Sequence, residues 1–264
     1  MDTPGRENSA LRRRGTASRV PLTVILSLTL LLVSGILPLH QASGDQGSTG
    51  MLIEDERKPR DRSEGPSVLS PDGRIGLDLY VDDSGLQSDC ILYDLIIDDD
   101  PIITNSTLGL TFGGGIRAFG SSVTMNVKSK GSINGTYNIT NGYRDEYTER
   151  YNYLVLQLNE TVSPYRSMIL ETRVYDEGAA IRYRIGENGW PASLTISGEL
   201  TGFKFAEDHD CYTEYGTEGT YTLESITKVQ SKCESPLTVD LDDGGYISIT
   251  EGNTTDYSRM YLNR

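Results

Sequence analysis

Histidine and cysteine are scarce in this 264-residue chain, which contains two of the first and three of the second. His40 lies at the end of an apolar N-terminal segment, so a nucleophile–histidine arrangement would have to use His209. No nucleophile motif accompanies His209. The scarcity of histidine therefore argues against a hydrolase of the Ser–His or Cys–His type.

Basic residues are also few in comparison with acidic ones. The chain has 24 Lys and Arg against 38 Asp and Glu, which gives a formal net charge of -14. Such a chain repels the phosphates of nucleic acids and anionic lipid headgroups. Solubility alone is one explanation of the acidity. Neutral ligands such as sugars, or cations such as calcium, suit it, and no nucleic-acid partner is expected.

The sequence lacks a phosphate loop and sustained helical periodicity. Gly113-Gly114-Gly115 is followed by neither Lys-Ser/Thr nor a helical pattern, so nucleotide binding is excluded. Short runs of alternating apolar and polar residues instead recur between Gly, Asp and Asn turns. This pattern predicts an all-β fold, an antiparallel sandwich or barrel. The predicted strands lie at 75–79, 90–97, 121–127, 153–158, 169–175, 179–185, 194–196, 203–205, 237–241 and 246–250.

Three segments of different composition divide the chain. Residues 1–44 contain an arginine cluster, an apolar run and small residues, which is typical of a signal peptide or signal anchor with a hydrophobic leader helix. Residues 45–67 are polar and predict a flexible linker. Residues 68–264 are predicted to form the β domain. We expect this domain to be extracytoplasmic, either secreted or held at the membrane by an uncleaved N-terminal transmembrane segment.

Acceptor sequons and cysteines bear on the compartment. A glycan acceptor pattern occurs at Asn105, Asn134, Asn138, Asn159 and Asn253, although chance accounts for such patterns equally well in a chain rich in Ser and Thr. The three cysteines allow one disulfide and one remaining thiol. Cys211 and Cys233 are closer to each other in sequence than either is to Cys90, so their bridge is the favoured one.

Several short motifs follow one another between residues 68 and 264. They are SPDG at 70–73, STLGL at 106–110, RVYDEGAAIRY at 173–183, ELTGFKF at 199–205, SPLT at 235–238 and TEGNTTDYSRMYL at 250–262. The ordered series resembles the N-terminal domain of glycoside hydrolase family 97. The third motif is similar to the Arg-x-Tyr-Asp-x-Gly-x-x-x-Arg-Tyr hairpin of that family.

The resemblance implies an antiparallel β-supersandwich like that of galactose mutarotase. In the family this domain packs on a (β/α)8 barrel that carries the catalytic acid and the base or nucleophile. Family members hydrolyse α-glucosides or α-galactosides and use calcium. The resemblance implies that this chain ends before the barrel, so we expect no catalytic residue in it and no hydrolysis by the chain alone.

The resemblance also implies one calcium ligand. The family's N-terminal domain supplies a glutamate from a Tyr-Glu-x-x-Tyr segment, and Thr217-Glu218-Gly219-Thr220-Tyr221 is the best match. Glu218 is therefore the candidate metal ligand. Because Thr217 replaces the family's tyrosine, Glu214 and Glu224 are alternatives. Asp240 to Gly244 superficially resembles an EF-hand loop, but its glycine is misplaced and a hairpin turn is predicted.

Two functions stay open at this point. The first is a carbohydrate-binding N-terminal module of a family 97-type α-glycosidase. The second is a non-catalytic, membrane-anchored surface-binding or adhesion protein built on a β-sandwich. Trp190 could stack on a sugar ring, but a loop position that caps the core is the favoured interpretation.

Overall fold

The structure, a computed structural model, describes residues 26–34, 65–82, 88–140, 145–185, 188–216, 218–242, 245–252 and 257–264. Almost all regular structure in these ranges is strand. The strands are β1 (Leu26–Ser34), β2 (Ser67–Leu69), β3 (Ile75–Asp82), β4 (Cys90–Ile97), β5 (Asp100–Thr107), β6 (Leu110–Phe112), β7 (Val123–Asn138), β8 (Glu146–Glu160), β9 (Ser167–Tyr175), β10 (Gly178–Ile185), β11 (Ile196–Glu199), β12 (Asp210–Thr213), β13 (Thr222–Ser225), β14 (Cys233–Glu234), β15 (Leu237–Asp240), β16 (Gly245–Glu251) and β17 (Tyr261–Leu262). A 3₁₀ turn at Ile226–Lys228 follows β13.

Two antiparallel sheets form the body of the sandwich. The larger has nine strands in the order β13-β12-β15-β16-β1-β10-β9-β8-β7, and the smaller has four in the order β2-β3-β4-β5. The pairs β11-β6 and β14-β17 form two further small sheets. The predicted all-β, antiparallel sandwich is confirmed. The predicted hairpin near the C-terminus is also confirmed, since β15 pairs with β16.

Alternation along the strands determines which side chains enter the core. Along β9, every second residue from Met168 to Val174 is buried, including the apolar Met168, Leu170 and Val174, whereas the alternate residues point to the opposite, partly exposed face. These side chains belong to one buried cluster with Leu77 of β3 and Leu156 of β8. Each fully buried side chain of this size contributes about 1.5–3 kcal/mol. The core therefore lies between the two larger sheets.

The structure corrects one part of the prediction for the N-terminus. Where a leader helix was predicted, Leu26–Ser34 forms strand β1, which pairs with β10 on one side and β16 on the other. A strand here satisfies the backbone groups of both neighbours, which a helix would leave as unpaired edges. The rest of the leader and residues 45–64 of the linker lie outside the described residues. In the part of the chain that the structure describes, no helix has the length and apolar character needed to cross a membrane.

Two smaller predictions have different outcomes. Cys90, Cys211 and Cys233 are all buried free thiols, so the predicted disulfide between Cys211 and Cys233 is not formed in the structure. Trp190 caps the core as predicted: its indole N–H donates to the Ser167 carbonyl at 2.6 Å, and its ring packs against Phe112.

Candidate functional site

A cavity of about 660 Å³ opens where the segment after β11 meets the C-terminal residues 257–264. Phe203, Phe205 and Ile226 contribute apolar side chains to its wall, and Glu199 and Tyr257 contribute polar groups. A volume of this size lies in the range of cavities that take small ligands. Further polar residues of the lining are Ser197, Thr201, Ser258, Arg259, Asn263 and Arg264. This mixture of apolar side chains and hydrogen-bonding groups suits a hydroxylated molecule.

Glu199 is an ionisable group whose pKa the surroundings of the cavity raise, as they also raise the pKa of Tyr257. Burial of Glu199 raises its pKa above the ordinary value of 4.5, and the nearby charge of Glu251 acts in the same direction. Hydrogen bonds from Thr201 and Tyr257 oppose the shift but do not cancel it. Thr201 Oγ1 lies 3.0 Å from Glu199 Oε2. The Glu199 carboxyl is thus oriented by two hydroxyls and can exchange hydrogen bonds with a ligand hydroxyl.

Ionic and backbone contacts position the C-terminal wall of the cavity. The Met260 amide donates to Glu251 Oε2 at 2.8 Å. Arg259 forms an ion pair with Glu234, whose side chain is buried, and its guanidinium lies 5.5 Å from the centre of the Tyr261 ring. The first contact ties residues 257–264 to β16 of the nine-stranded sheet, and the second ties them to β14.

An acidic hairpin formed by β12 and β13 follows the cavity-lining residues 196–205 in the sequence. It contains Glu224, one of the alternative metal ligands. Thr213 Oγ1 donates to Glu224 Oε1 at 2.6 Å, and the Tyr215 hydroxyl donates to the same oxygen at 2.9 Å. These two hydrogen bonds lower the pKa of the Glu224 carboxyl. The Tyr215 oxygen in turn accepts from the Gln230 amide at 2.8 Å. Glu224 therefore has a structural role, since it connects β13 to Thr213 of β12 and to Tyr215 in the loop that follows β12.

Glu214 and Glu218 lie in the loop that joins the two strands of the hairpin. Glu214 Oε1 accepts from the Gly219 amide at 2.6 Å, which closes the loop on itself. Glu218 is exposed and has a left-handed backbone conformation with φ of 65°. A non-glycine residue with this φ is uncommon and marks a tight turn. The turn presents Glu218 at the surface.

The three glutamates do not form a complete calcium site by themselves. Among the described residues, no three or more His, Cys, Asp or Glu side chains are grouped so that they could hold a metal ion. Calcium takes six to eight oxygen ligands. Glu214 and Glu224 are already engaged by the hairpin, so an exposed carboxylate such as Glu218 could supply one ligand to a metal held mainly by other groups.

His209 has a packing role in the structure. Its Nδ1 atom lies 3.1 Å from Asp242 Oδ2, and its ring packs edge-on against Phe205 at 6.0 Å. His209 directly precedes β12, and Asp242 follows β15. This contact therefore joins the start of β12 to the β15–β16 hairpin, which contains the EF-hand-like motif. The pairing of β15 with β16 agrees with the hairpin interpretation of this motif, of which residues 243 and 244 lie outside the described residues.

Sequence reasoning missed Glu199 and Tyr257 as site residues. Glu199 lies in the ELTGFKF motif, which contributes to the family resemblance but does not by itself indicate a binding role. Tyr257 is remote from Glu199 in sequence. The signal for a site is the burial of the carboxyl, which depends on the fold bringing the C-terminal segment over β11. Local pattern alone does not contain this information.

Known proteins resemble this chain over its β domain. The family model described as "Glycosyl-hydrolase 97 N-terminal" matches residues 68–264. A retaining alpha-galactosidase of Bacteroides thetaiotaomicron is 24% identical over 212 residues, which are 74% of this chain and 30% of that protein. The chain therefore spans about 30% of the length of this relative.

Solved structures show the same fold. A glycoside hydrolase family 97 enzyme of Pseudoalteromonas sp., in complex with panose, has a TM-score of 0.68 at 23% identity, covering 75% of this chain and 30% of that one. A beta-arabinopyranosidase structure has a TM-score of 0.56 at 18% identity, covering 70% of this chain and 35% of that one.

Proposed function

The chain belongs to the glycosyl-hydrolase 97 N-terminal family, and from this premise we propose that it is the carbohydrate-binding N-terminal module of an α-glycosidase. Two observations support the proposal: the family model matches residues 68–264, and the chain spans only about 30% of the length of the related enzymes. The catalytic carboxylates would come from a (β/α)8 domain outside this chain. The chain alone would then have no hydrolytic activity, because glycoside hydrolysis needs a pair of carboxyl groups placed across the scissile bond.

The proposed sugar is an α-galactoside or an α-glucoside. The name of the Bacteroides relative supports the first, and the panose complex of the Pseudoalteromonas enzyme supports the second. Within this chain the cavity beside Glu199 and Tyr257 is the proposed point of contact. Its hydroxyl and carboxyl groups would exchange hydrogen bonds with sugar hydroxyls, and Phe203 and Phe205 would cover an apolar sugar face.

Calcium is the proposed cofactor of the assembled site. Glu218 would supply one carboxylate from its exposed turn, and the catalytic domain would supply most of the other oxygens. Glu214 and Glu224 are less suitable because each already accepts hydrogen bonds within the hairpin. When bound, the ion would supply a fixed positive charge near the substrate.

We further propose an extracytoplasmic location, secreted or anchored through the N-terminal segment. The arginine cluster and apolar run of residues 1–44 support it. Export that removes this segment or inserts it in a membrane would take Leu26–Ser34 out of the sheet. The acceptor sequons at Asn134 and Asn138 add support, since both asparagines are exposed on β7.

A titration with small glycosides tests the cavity. We expect the 264-residue chain to bind methyl α-galactoside or methyl α-glucoside weakly and to leave the corresponding aryl glycosides unhydrolysed. Tyr257→Phe should weaken binding, because it removes the hydroxyl that bonds to Glu199. Tyr246→Phe, at an exposed position on β16, is the matched control and should bind normally. Equal affinities of the two variants would refute the cavity as the contact point.

A further inference from the structure

The long hairpin of β7 and β8 extends past the rest of the nine-stranded sheet. The two strands pair continuously from Val123↔Glu160 to Asn138↔Glu146, apart from one bulge. The neighbouring strand β9 ends at Tyr175, which lies opposite Tyr151. The outer part of the hairpin is therefore a two-stranded arm. A two-stranded ribbon in water is only marginally stable by itself, so side-chain pairs must contribute to its stability.

The arm has one aromatic face and one polar face. Side chains alternate between faces along each strand, and directly paired residues share a face. Tyr137 pairs with Tyr147, and Ile133 pairs with Tyr151 on the same side. The opposite side carries only polar and charged residues: Asn134 opposite Arg150, Thr136 opposite Thr148 and Asn138 opposite Glu146. Both sequon asparagines of the arm lie on this polar side, so a glycan there would leave the aromatic side uncovered.

The aromatic face carries two groups of rings, separated by the Gly135–Glu149 pair. The Tyr137 and Tyr147 rings stack with centroids 5.7 Å apart and an interplanar angle of 20°. Further towards the sheet, the Tyr151 ring lies 6.5 Å from that of Tyr153 and 5.0 Å from that of Tyr175 on β9. Tyr137 and Ile133 are 48% and 39% exposed, whereas Tyr151 is buried at 7% and the Arg173 guanidinium lies 4.5 Å from the centre of its ring. The accessible part of this face is therefore the outer part around Tyr137, Gly135 and Ile133.

Two glycines shape the floor of this face. A Cβ at Gly131 would lie 2.8 Å from the Tyr153 hydroxyl oxygen, so glycine there lets the ring lie flat across β7. At Gly135 a Cβ would meet no atom within 4 Å. Gly135 is therefore an open recess between the Tyr137–Tyr147 stack and the Ile133–Tyr151 pair. Glu149, directly opposite Gly135, forms an ion pair with Arg173 at 3.2 Å and places charged hydrogen-bonding groups beside the recess.

These features lead us to propose that the aromatic face of the arm binds neutral polysaccharide. Tyrosine rings offer apolar faces for the C–H faces of sugar rings and hydroxyls for their polar edges. Same-face positions recur about every 7 Å along a strand, so a ligand that contacts Tyr137, Gly135 and Ile133 must be extended rather than compact. The acidic chain would repel an anionic polymer, and Glu149 with Arg173 can bond uncharged hydroxyls as acceptor and donor.

This site is separate from the cavity beside Glu199. It depends on the proposed function only for the choice of polymers, which are α-glucans and α-galactosyl-substituted mannans. If both proposals hold, the arm retains the polymer while the cavity contacts a single sugar residue.

Affinity electrophoresis of the 264-residue chain in gels with soluble starch, galactomannan or alginate tests the inference. We expect retardation by at least one neutral polymer and none by the anionic alginate. The double variant Tyr137→Ala/Tyr147→Ala should lose about tenfold or more in affinity, which equals removal of one to two aromatic contacts. Ser132→Ala/Thr148→Ala, on the polar face of the arm, is the matched control and should bind as the wild type does.

Gly135→Val serves as a second variant that keeps every ring. A valine suits a strand position and fills the recess, so it should weaken binding without unfolding the arm. Normal retardation of both the tyrosine variant and Gly135→Val would overturn the proposal, as would a failure of every neutral polymer to retard the wild type. A dimer in sedimentation that Tyr137→Ala/Tyr147→Ala abolishes, without polymer binding, would identify the face as a contact between copies. Binding of methyl glycosides without polymer binding would overturn this inference and leave the cavity proposal standing. Polymer binding without binding of methyl glycosides would overturn the cavity proposal and support this inference.

Discussion

Arg166 and Glu160 are opposite charges buried in the sandwich, with side-chain exposures of 1% and 0%. Arg166 Nε donates to Glu160 Oε2 at 2.8 Å, and two further guanidinium nitrogens donate to the carbonyls of Arg117 and Ala118. The guanidinium also lies 4.7 Å from the centre of the Trp190 ring. Every part of the buried charge therefore has a partner, as burial of a charge requires.

Removal of the arginine should be costly because it leaves a buried carboxylate with less compensation. Arg166→Met is expected to lower the free energy of unfolding by about 3–5 kcal/mol. Arg74→Met breaks an ion pair with Asp98 whose side chains are 52% and 54% exposed, and this control should cost at most about 1 kcal/mol. Urea denaturation of both variants measures the difference. Similar losses for the two would show that burial does not govern the strength of the pair.

The buried Glu160 and the partly buried Glu199 should make stability depend on pH in opposite directions. Burial raises the pKa of Glu199, so its favourable contribution is complete below 4.5 and is lost as pH rises through the folded-state value. Burial also opposes ionisation of Glu160, but the hydrogen bonds and charge of Arg166 outweigh it and lower that pKa. The Glu160 contribution is therefore present above 4.5 and is lost as pH falls.

Glu199→Gln separates these effects. The glutamine keeps an acceptor for Thr201 and Tyr257 and cannot ionise, so the variant should melt at a higher temperature than the wild type at pH 8. The difference should vanish near pH 4, where Glu199 is protonated in both the folded and the unfolded wild type. Thermal melts at the two pH values provide the measurement. A constant difference across this range would mean that ionisation of Glu199 is not the cause.

Neither Arg166 nor Glu199 could have been recognised from sequence as a partly or fully buried charge. Arg166 follows Pro164 and Tyr165 in a segment that has the composition of a solvated turn, and only the packing of Phe112, Phe119 and Trp190 around it makes it a core residue. Glu218 shows the opposite case. Its motif was visible in the sequence, and its exposed turn agrees with a ligand position without testing it.

At the scale of elements, alternation predicted those strands that have one buried face. It located the inner parts of β7 and β8 but placed them at 121–127 and 153–158, whereas the strands run Val123–Asn138 and Glu146–Glu160. The outer part of β7 is exposed on both faces, so no hydrophobic alternation marks it. Strand β1 was missed for another reason: its continuous apolar run fits a membrane or leader helix as well as an interior strand.

Strand β1 predicts how the N-terminus affects stability. Deletion of residues 1–44 removes the partner of β10 and β16 and exposes two interior strand edges, which should lower the melting temperature and promote association. Deletion of residues 1–25 keeps β1 and is the control. Melting curves and sedimentation of both forms measure the effect. A monomer of unchanged stability after the longer deletion would show that β1 contributes nothing to the sheet.

At the scale of the whole molecule, the acidic hairpin leads to a prediction about calcium. Because Glu218 offers one carboxylate and calcium needs several oxygens, the 264-residue chain should bind calcium only weakly, and Glu218→Gln should weaken binding further. Glu177→Gln, in the exposed turn between β9 and β10, is the control. Calorimetric titration measures all three. Tight binding that survives Glu218→Gln would place the metal elsewhere.

The central claim is that this β-sandwich works as the N-terminal module of an α-glycosidase. The most direct test is to capture the native protein from producing cells with an antibody raised against residues 65–264, and to assay the captured material on aryl α-galactosides and α-glucosides. The account predicts hydrolysis by the captured material and none by the recombinant 264-residue chain. Captured material that hydrolyses neither substrate would contradict it and favour a stand-alone binding or adhesion protein.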